Sequence, residues 1–125
     1  MDDGYLGNVN LKKVGVELSY TEEQVAEIFK CSQDPVYFIK NYVKIVHVDK
    51  GLVPFDMWNF QEDMVNTFKD NRFIICKMPR QVGKTTTTVG YMLWSVLFNE
   101  TYVVGILANK GQLARDILAK IQLAY

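Results

Sequence analysis

A chain of 125 residues, 49% hydrophobic and 22% charged, suits one small globular domain with a modest core. Lys+Arg and Asp+Glu are both 14, so no global field draws the chain to nucleic acid or an anionic surface, although a locally basic face stays open. No secretory leader, no apolar run of the ~20 residues that span a bilayer and no zinc-type spacing of Cys31 and Cys76 is present, so a soluble, intracellular protein with two reduced thiols is expected.

Residues 1–20 are polar, glycine-containing and weakly periodic, which predicts an extended or poorly ordered arm. Thr21-Glu22-Glu23-Gln24 has the form of a capping box, and Val25, Ile28 and Phe29 continue it as a helical stripe. Asp34-Pro35 supplies a cap and a first-turn proline for a second helix, whose apolar face holds Tyr37, Phe38, Tyr42 and Val43. Lys44–Val48 and Gly51–Phe55 read as two short strands about an Asp49-Lys50-Gly51 turn. His47 alternates with apolar neighbours there and has no Ser, Cys or metal-ligand partner at suggestive spacing, so a partly buried strand position is expected of it rather than catalysis.

Trp58 to about Phe68 has the pattern of an amphipathic helix. Within it Gln61 is either an ordinary exposed helical glutamine or a base contact, since its amide carries both a donor and an acceptor and could pair with N6 and N7 of adenine. Arg72–Met78 is short, mostly apolar and rich in β-branched and aromatic residues, as a buried parallel strand should be, and Pro79 ends it.

Pro79-Arg80-Gln81-Val82-Gly83-Lys84-Thr85-Thr86 follows, and it closes like a phosphate-binding loop. Gly83 would let an anion approach the backbone, Lys84 would reach the β/γ oxygens of a nucleoside triphosphate, and the Thr85 hydroxyl would ligate Mg²⁺. The strict pattern G-x-x-x-x-G-K-[ST] has its first glycine where this chain has Met78. From Lys84 helical spacing resumes, with Val89, Met92, Leu93, Val96 and Leu97 as the apolar stripe up to about Asn99. Tyr102–Ala108 reads as a second apolar strand, and a helix is expected from about Gly111 to the end. Strand, loop, helix, strand, helix predicts an α/β fold: a βαβ unit with a right-handed crossover, a parallel sheet and the loop at the carboxyl end of its first strand.

Phe60-Gln61-Glu62-Asp63-Met64, Pro79–Thr86 and Val104-Gly105-Ile106-Leu107-Ala108-Asn109-Lys110-Gly111 together resemble the start of the large terminase subunit of tailed bacteriophages, of the T-even type. Tyr37-Phe38 and Val46-His47-Val48-Asp49 are similar too, so the resemblance runs from about residue 34 to the end. It implies a P-loop NTPase fold of the RecA-like, additional-strand kind, here an incomplete parallel sheet with N-terminal helices and a short β-hairpin. Residues 21–125 would be the Walker A half of the ATPase domain, with Walker B and the nuclease domain absent. Gln61 becomes the adenine contact, and Arg80, Gln81, Val82, Gly83, Lys84, Thr85 and Thr86 the loop around ATP. Thr85 becomes the Mg²⁺ ligand, and Arg80 and Lys84 the catalytic cations.

The activity implied for the whole protein is ATP-driven translocation of double-stranded viral DNA into a procapsid in the host cell cytoplasm, with endonucleolytic cutting of concatemers. The partners implied are the portal protein, the small terminase subunit and further copies in a ring, with no membrane. Hydrolysis would need an apolar strand ending in Asp-Glu, which does not occur in these residues, so by themselves they are expected to bind nucleotide and not turn it over. Two other readings fit the motifs: a superfamily 2 helicase or DNA translocase, and a nonenzymatic interaction module with a vestigial loop. For Arg80 the plain alternative is a surface cation in a turn.

Overall fold

The computed structural model describes residue 6, residues 13–15 and residues 17–125, so most of the expected N-terminal arm lies outside the described residues. The elements in chain order are α1 (Glu22–Gln33), α2 (Pro35–Tyr42), β1 (Lys44–His47), β2 (Gly51–Pro54), α3 (Asn59–Asp70), α4 (Lys84–Phe98) and α5 (Gly111–Ala124). Local chemistry accounts for the starts of the first two helices. The Thr21 hydroxyl accepts from the Gln24 N–H at 3.2 Å, while the Gln24 amide oxygen accepts from the Thr21 N–H at 3.0 Å. One Asp34 carboxylate oxygen accepts from the N–H groups of Val36 and Tyr37, and Pro35 sits in the first turn where its missing donor costs nothing.

Helix α2 is the hub, in contact with α1, α3, α4 and β2. Ile39 on α2 and Val65 on α3 are fully buried, and Phe38, Val43, Phe55, Met57, Leu93 and Trp94 complete most of the core around them. Gly90 lets α4 cross close above α2, because a Cβ at that position would lie 3.2 Å from Ile39 Cγ1. Two polar contacts tie distant segments to this core. The Trp94 indole donates to the Cys31 carbonyl at 2.8 Å, and the Lys69 ammonium donates to the Gln33 carbonyl at 2.6 Å. Cys31 is buried and Cys76 exposed, both as free thiols, and burial pushes the Cys31 thiol up.

The α4 stripe is rotated from the one expected. Val89 and Leu93 are buried, but Val96 and Leu97 are close to half exposed, and Thr87, Gly90, Trp94 and Ser95 lie inside instead. Three elements, α2, α3 and α5, pack on α4 and bury more than one side of it, which a single-stripe reading does not allow for.

The α/β parallel sheet expected of a RecA-like, additional-strand P-loop NTPase is not formed among the described residues. Among the described residues the one sheet is the hairpin β1–β2, antiparallel, with Lys44 opposite Pro54 and His47 opposite Gly51. His47 is exposed rather than partly buried, its Nδ1 accepting from the Asp49 N–H at 3.2 Å in the turn. Arg72–Met78 and Tyr102–Ala108, expected as the two parallel strands of a βαβ unit, carry no ladder. Phe73, Ile75, Val103 and Leu107 are 84–97% exposed, while Ile74, Met78, Val104 and Ile106 between them are half-buried. A run of β-branched residues favours a strand, but only a neighbouring strand in register supplies the lateral N–H···O=C bonds that make it one. Among the described residues these two runs pair neither with each other nor with a third segment. Among the described residues, no helix is long and apolar enough to cross a membrane.

Helices α1 and α2 are clasped by Glu27, whose Oε1 accepts from the Tyr37 and Tyr42 hydroxyls, each at 2.7 Å. The hydrogen bond from Tyr37, then that from Tyr42, holds the Glu27 carboxyl below the usual carboxylate range, and the same contact pushes the Tyr42 phenol up to about 12. A depressed native carboxyl stabilises the fold above the ordinary glutamate range, and that stabilisation is lost as pH falls through the native value. A raised phenol works in the opposite sense: its contribution is present below the ordinary tyrosine range and is lost as pH rises through about 12. In a Tyr37→Phe/Tyr42→Phe double variant the melting temperature, followed by circular dichroism, is therefore expected to fall less steeply on both the acid and the alkaline side than in the parent chain. Parallel curves for the two proteins would remove Glu27 as the origin of either branch.

Candidate phosphate-binding site

Two left-handed residues on either side of Val82 bring the chain from the 72–78 run into α4. Gln81 has φ 59° and Gly83 has φ 76°; the glycine adopts this conformation freely, whereas the glutamine is strained by roughly 1–2 kcal/mol. Gly83 is then the N-cap of α4, and its carbonyl accepts both the Thr87 N–H at 2.9 Å and the Thr87 hydroxyl at 2.8 Å. Thr88 repeats the pattern, donating its hydroxyl to the Lys84 carbonyl at 2.8 Å. The later threonines of the run thus bond back onto the helix, and Thr87 is fully buried.

The Lys84 ammonium folds back to donate to the Met78 carbonyl at 3.0 Å, which closes the loop into a ring from Met78 to Lys84. Along that ring the N–H groups from Gln81 to Thr86 meet no backbone acceptor among the described residues. Those of Lys84, Thr85 and Thr86 are first-turn donors with no intrahelical partner, at the positive end of the α4 dipole. The hydroxyl of Thr85, on an exposed residue, makes no hydrogen bond among the described residues.

Gln61 is the third component. It is only 5% exposed; its Oε1 accepts from the Trp58 N–H at 2.9 Å, and its Nε2 donates to the Val82 carbonyl at 3.1 Å. The first bond caps α3 from within, and the second ties the start of α3 to the loop 21 residues later. The amide is wedged beneath Gly83, where an added Cβ would come to 2.5 Å of Nε2.

The structure therefore brings Gln61, Val82, Gly83 and Lys84 together and leaves Arg80 and Gln81 exposed at the apex of the loop. Thr86 is turned elsewhere, into a groove of about 240 Å³ with Val43, Ile45, Val89 and Ala124 between the hairpin, α4 and α5. Met78, the end of the expected strand and the position of the missing glycine, anchors the lysine by its carbonyl. The backbone role of a residue leaves no mark on its side chain, so no sequence signal pointed to it.

A phosphate group fits this arrangement. The N–H groups of Gln81 to Thr86 stand without backbone acceptors among the described residues at a helix start, and the cation is held by one neutral acceptor. Mg²⁺ bound through phosphate oxygens needs only one or two protein ligands, and the Thr85 hydroxyl offers one. Among the described residues no group of three or more His, Cys, Asp or Glu is placed to hold a metal by itself. No family model matches the chain.

Proposed function

We propose that this chain is the ATP-binding portion of a viral DNA-packaging motor of the large-terminase kind, holding Mg²⁺·ATP on the loop Pro79–Thr85. The observation that carries the nucleotide reading is Lys84, drawn over the loop onto the Met78 carbonyl beside backbone donors without acceptors. An incoming β/γ-phosphate exchanges that neutral acceptor for charged ones, and charge-assisted hydrogen bonds are about twice as strong as neutral ones.

Lys84 and the loop N–H groups would hold the phosphates, the Thr85 hydroxyl would serve as a Mg²⁺ ligand, and the exposed Arg80 would supply a second cation for phosphate charge. When bound, Mg²⁺ neutralises phosphate charge. The resemblance of Phe60–Met64, Pro79–Thr86 and Val104–Gly111 to terminases supports the assignment to packaging. Double-stranded DNA, the portal and small-subunit partners, the ring on the procapsid and the endonuclease activity of a whole terminase rest on that resemblance alone.

Isothermal titration of residues 1–125 with Mg²⁺·ATP should show binding that Lys84→Ala weakens about tenfold to a hundredfold, the worth of a lost charged hydrogen bond. No steady hydrolysis is expected from these residues. Affinity that survives Lys84→Ala unchanged would point instead to a vestigial loop in an interaction module, and turnover abolished by Lys84→Ala would show that they carry a complete catalytic site.

A further inference from the structure

We infer that Gln61 is a positioning residue that sets the shape of the phosphate loop, and that the site takes nucleoside triphosphates by their phosphates without reading the base through this amide. The inference rests on the phosphate-site reading and adds to it a role and a selectivity. An amide reads adenine only with its donor and acceptor edge free. In Gln61 each end already makes one bond, Oε1 on the Trp58 N–H and Nε2 on the Val82 carbonyl, and at 5% exposure burial leaves no remaining edge open to a base.

The same two bonds give the amide another task. Val82 lies between the two left-handed residues Gln81 and Gly83, so its carbonyl direction fixes how the flanking N–H groups point. Gly83 rests on the amide so closely that a methyl group between them has no space. A neutral amide also suits a place beneath bound phosphates, where a carboxylate would repel them. Turning the amide outward to a base would release the Val82 carbonyl and the Trp58 N–H together, undoing the loop as it gained the base.

The test measures binding of Mg²⁺·ATP, Mg²⁺·GTP and Mg²⁺·tripolyphosphate, which has no base, to the parent chain, to Gln61→Ala and to Met64→Ala. Met64 is a buried residue on the same helix that takes no part in the loop, so its truncation controls for loss of packing. The parent chain is expected to bind ATP and GTP within about twofold of each other. Gln61→Ala is expected to weaken all three ligands by the same factor, about tenfold, as one or two lost hydrogen bonds imply. Met64→Ala should leave all three affinities in place at temperatures where it is folded.

Should Gln61→Ala fail to fold, Gln61→Met fills the same space without donor or acceptor and carries the same comparison. Loss confined to ATP, with GTP and tripolyphosphate unchanged, would make Gln61 a base contact and overturn the inference. Equal losses in Gln61→Ala and Met64→Ala would reduce it to packing and overturn it as well. If the parent chain bound none of the three, the phosphate-site reading itself would fall, and the positioning role with it.

Discussion

Gly83→Ala is expected to abolish measurable Mg²⁺·ATP binding and to lower the melting temperature of the chain by about 10–20 °C. Two costs combine. At φ 76° an L-residue with a Cβ is strained by roughly 1–2 kcal/mol. The new methyl would also meet Gln61 Nε2 at 2.5 Å, so the amide must leave the Val82 carbonyl. Leaving a buried donor or acceptor unpaired adds about 1–3 kcal/mol. Total stabilities of small proteins are about 5–15 kcal/mol, so the variant loses a substantial share.

A double-mutant cycle separates the two costs. In a Gln61→Ala background the steric conflict is gone and only backbone strain remains, so Gly83→Ala should be milder there than in the parent chain. Additive effects in urea unfolding would show that the close approach of glycine and amide carries no energy. The cycle is also informative for function, because both residues act on the Val82–Gly83 peptide and neither is expected to touch a base.

The second large effect is expected at Trp94. Its side chain is 8% exposed, its ring stacks on Tyr91 with centroids 5.6 Å apart, and its Nε1 donates to the Cys31 carbonyl 63 residues earlier at 2.8 Å. Among the described residues it makes the one hydrogen bond between α1 and α4. Trp94→Ala leaves a cavity and an unpaired carbonyl, and truncations of this size cost about 3–5 kcal/mol. Urea unfolding should show a sharply lower midpoint, with hydrogen-exchange protection lost first in α1.

Trp94→Phe keeps most of the ring packing and removes the donor, so it should cost about 1–3 kcal/mol, the worth of one buried acceptor left unpaired. If phenylalanine were as damaging as alanine, the hydrogen bond rather than the ring volume would be what holds α1 in place. If phenylalanine were neutral, a water would have to satisfy the Cys31 carbonyl in its stead.

Much of the secondary structure could be read from local residue chemistry. Thr21 with Gln24, and Asp34 with Pro35, mark the starts of α1 and α2 because a cap is decided by side chains within three residues of the backbone donors they satisfy. The β1–β2 hairpin is legible for a similar reason, since its two strands lie either side of a turn that one short stretch of sequence specifies. Gly83-Lys84 announces a turn into a helix, and α4 does begin at Lys84.

Long-range relations were not legible in this way. Arg72–Met78 and Tyr102–Ala108 have the composition of buried strands, but composition states a preference for pairing and names no partner; without one they remain unpaired and largely exposed. The buried face of α4 differs from its sequence stripe because the number of elements packed on a helix is a property of the assembled fold.

At the site, the residue types of Gly83, Lys84 and Thr85 gave the chemistry of a phosphate loop, and the structure added how the loop is held. Two polar contacts do this, Lys84 on the Met78 carbonyl and Gln61 on the Val82 carbonyl, and both acceptors are main-chain atoms. Sequence by itself determined which side chains could meet a phosphate, because charge, hydroxyl and the absence of a Cβ belong to the residue. Tertiary structure alone decided that the Gln61 amide faces the loop, that Thr86 faces the hairpin and that no parallel ladder forms among the described residues. Those outcomes depend on which backbone groups come within about 3 Å of one another, and every residue carries the same backbone.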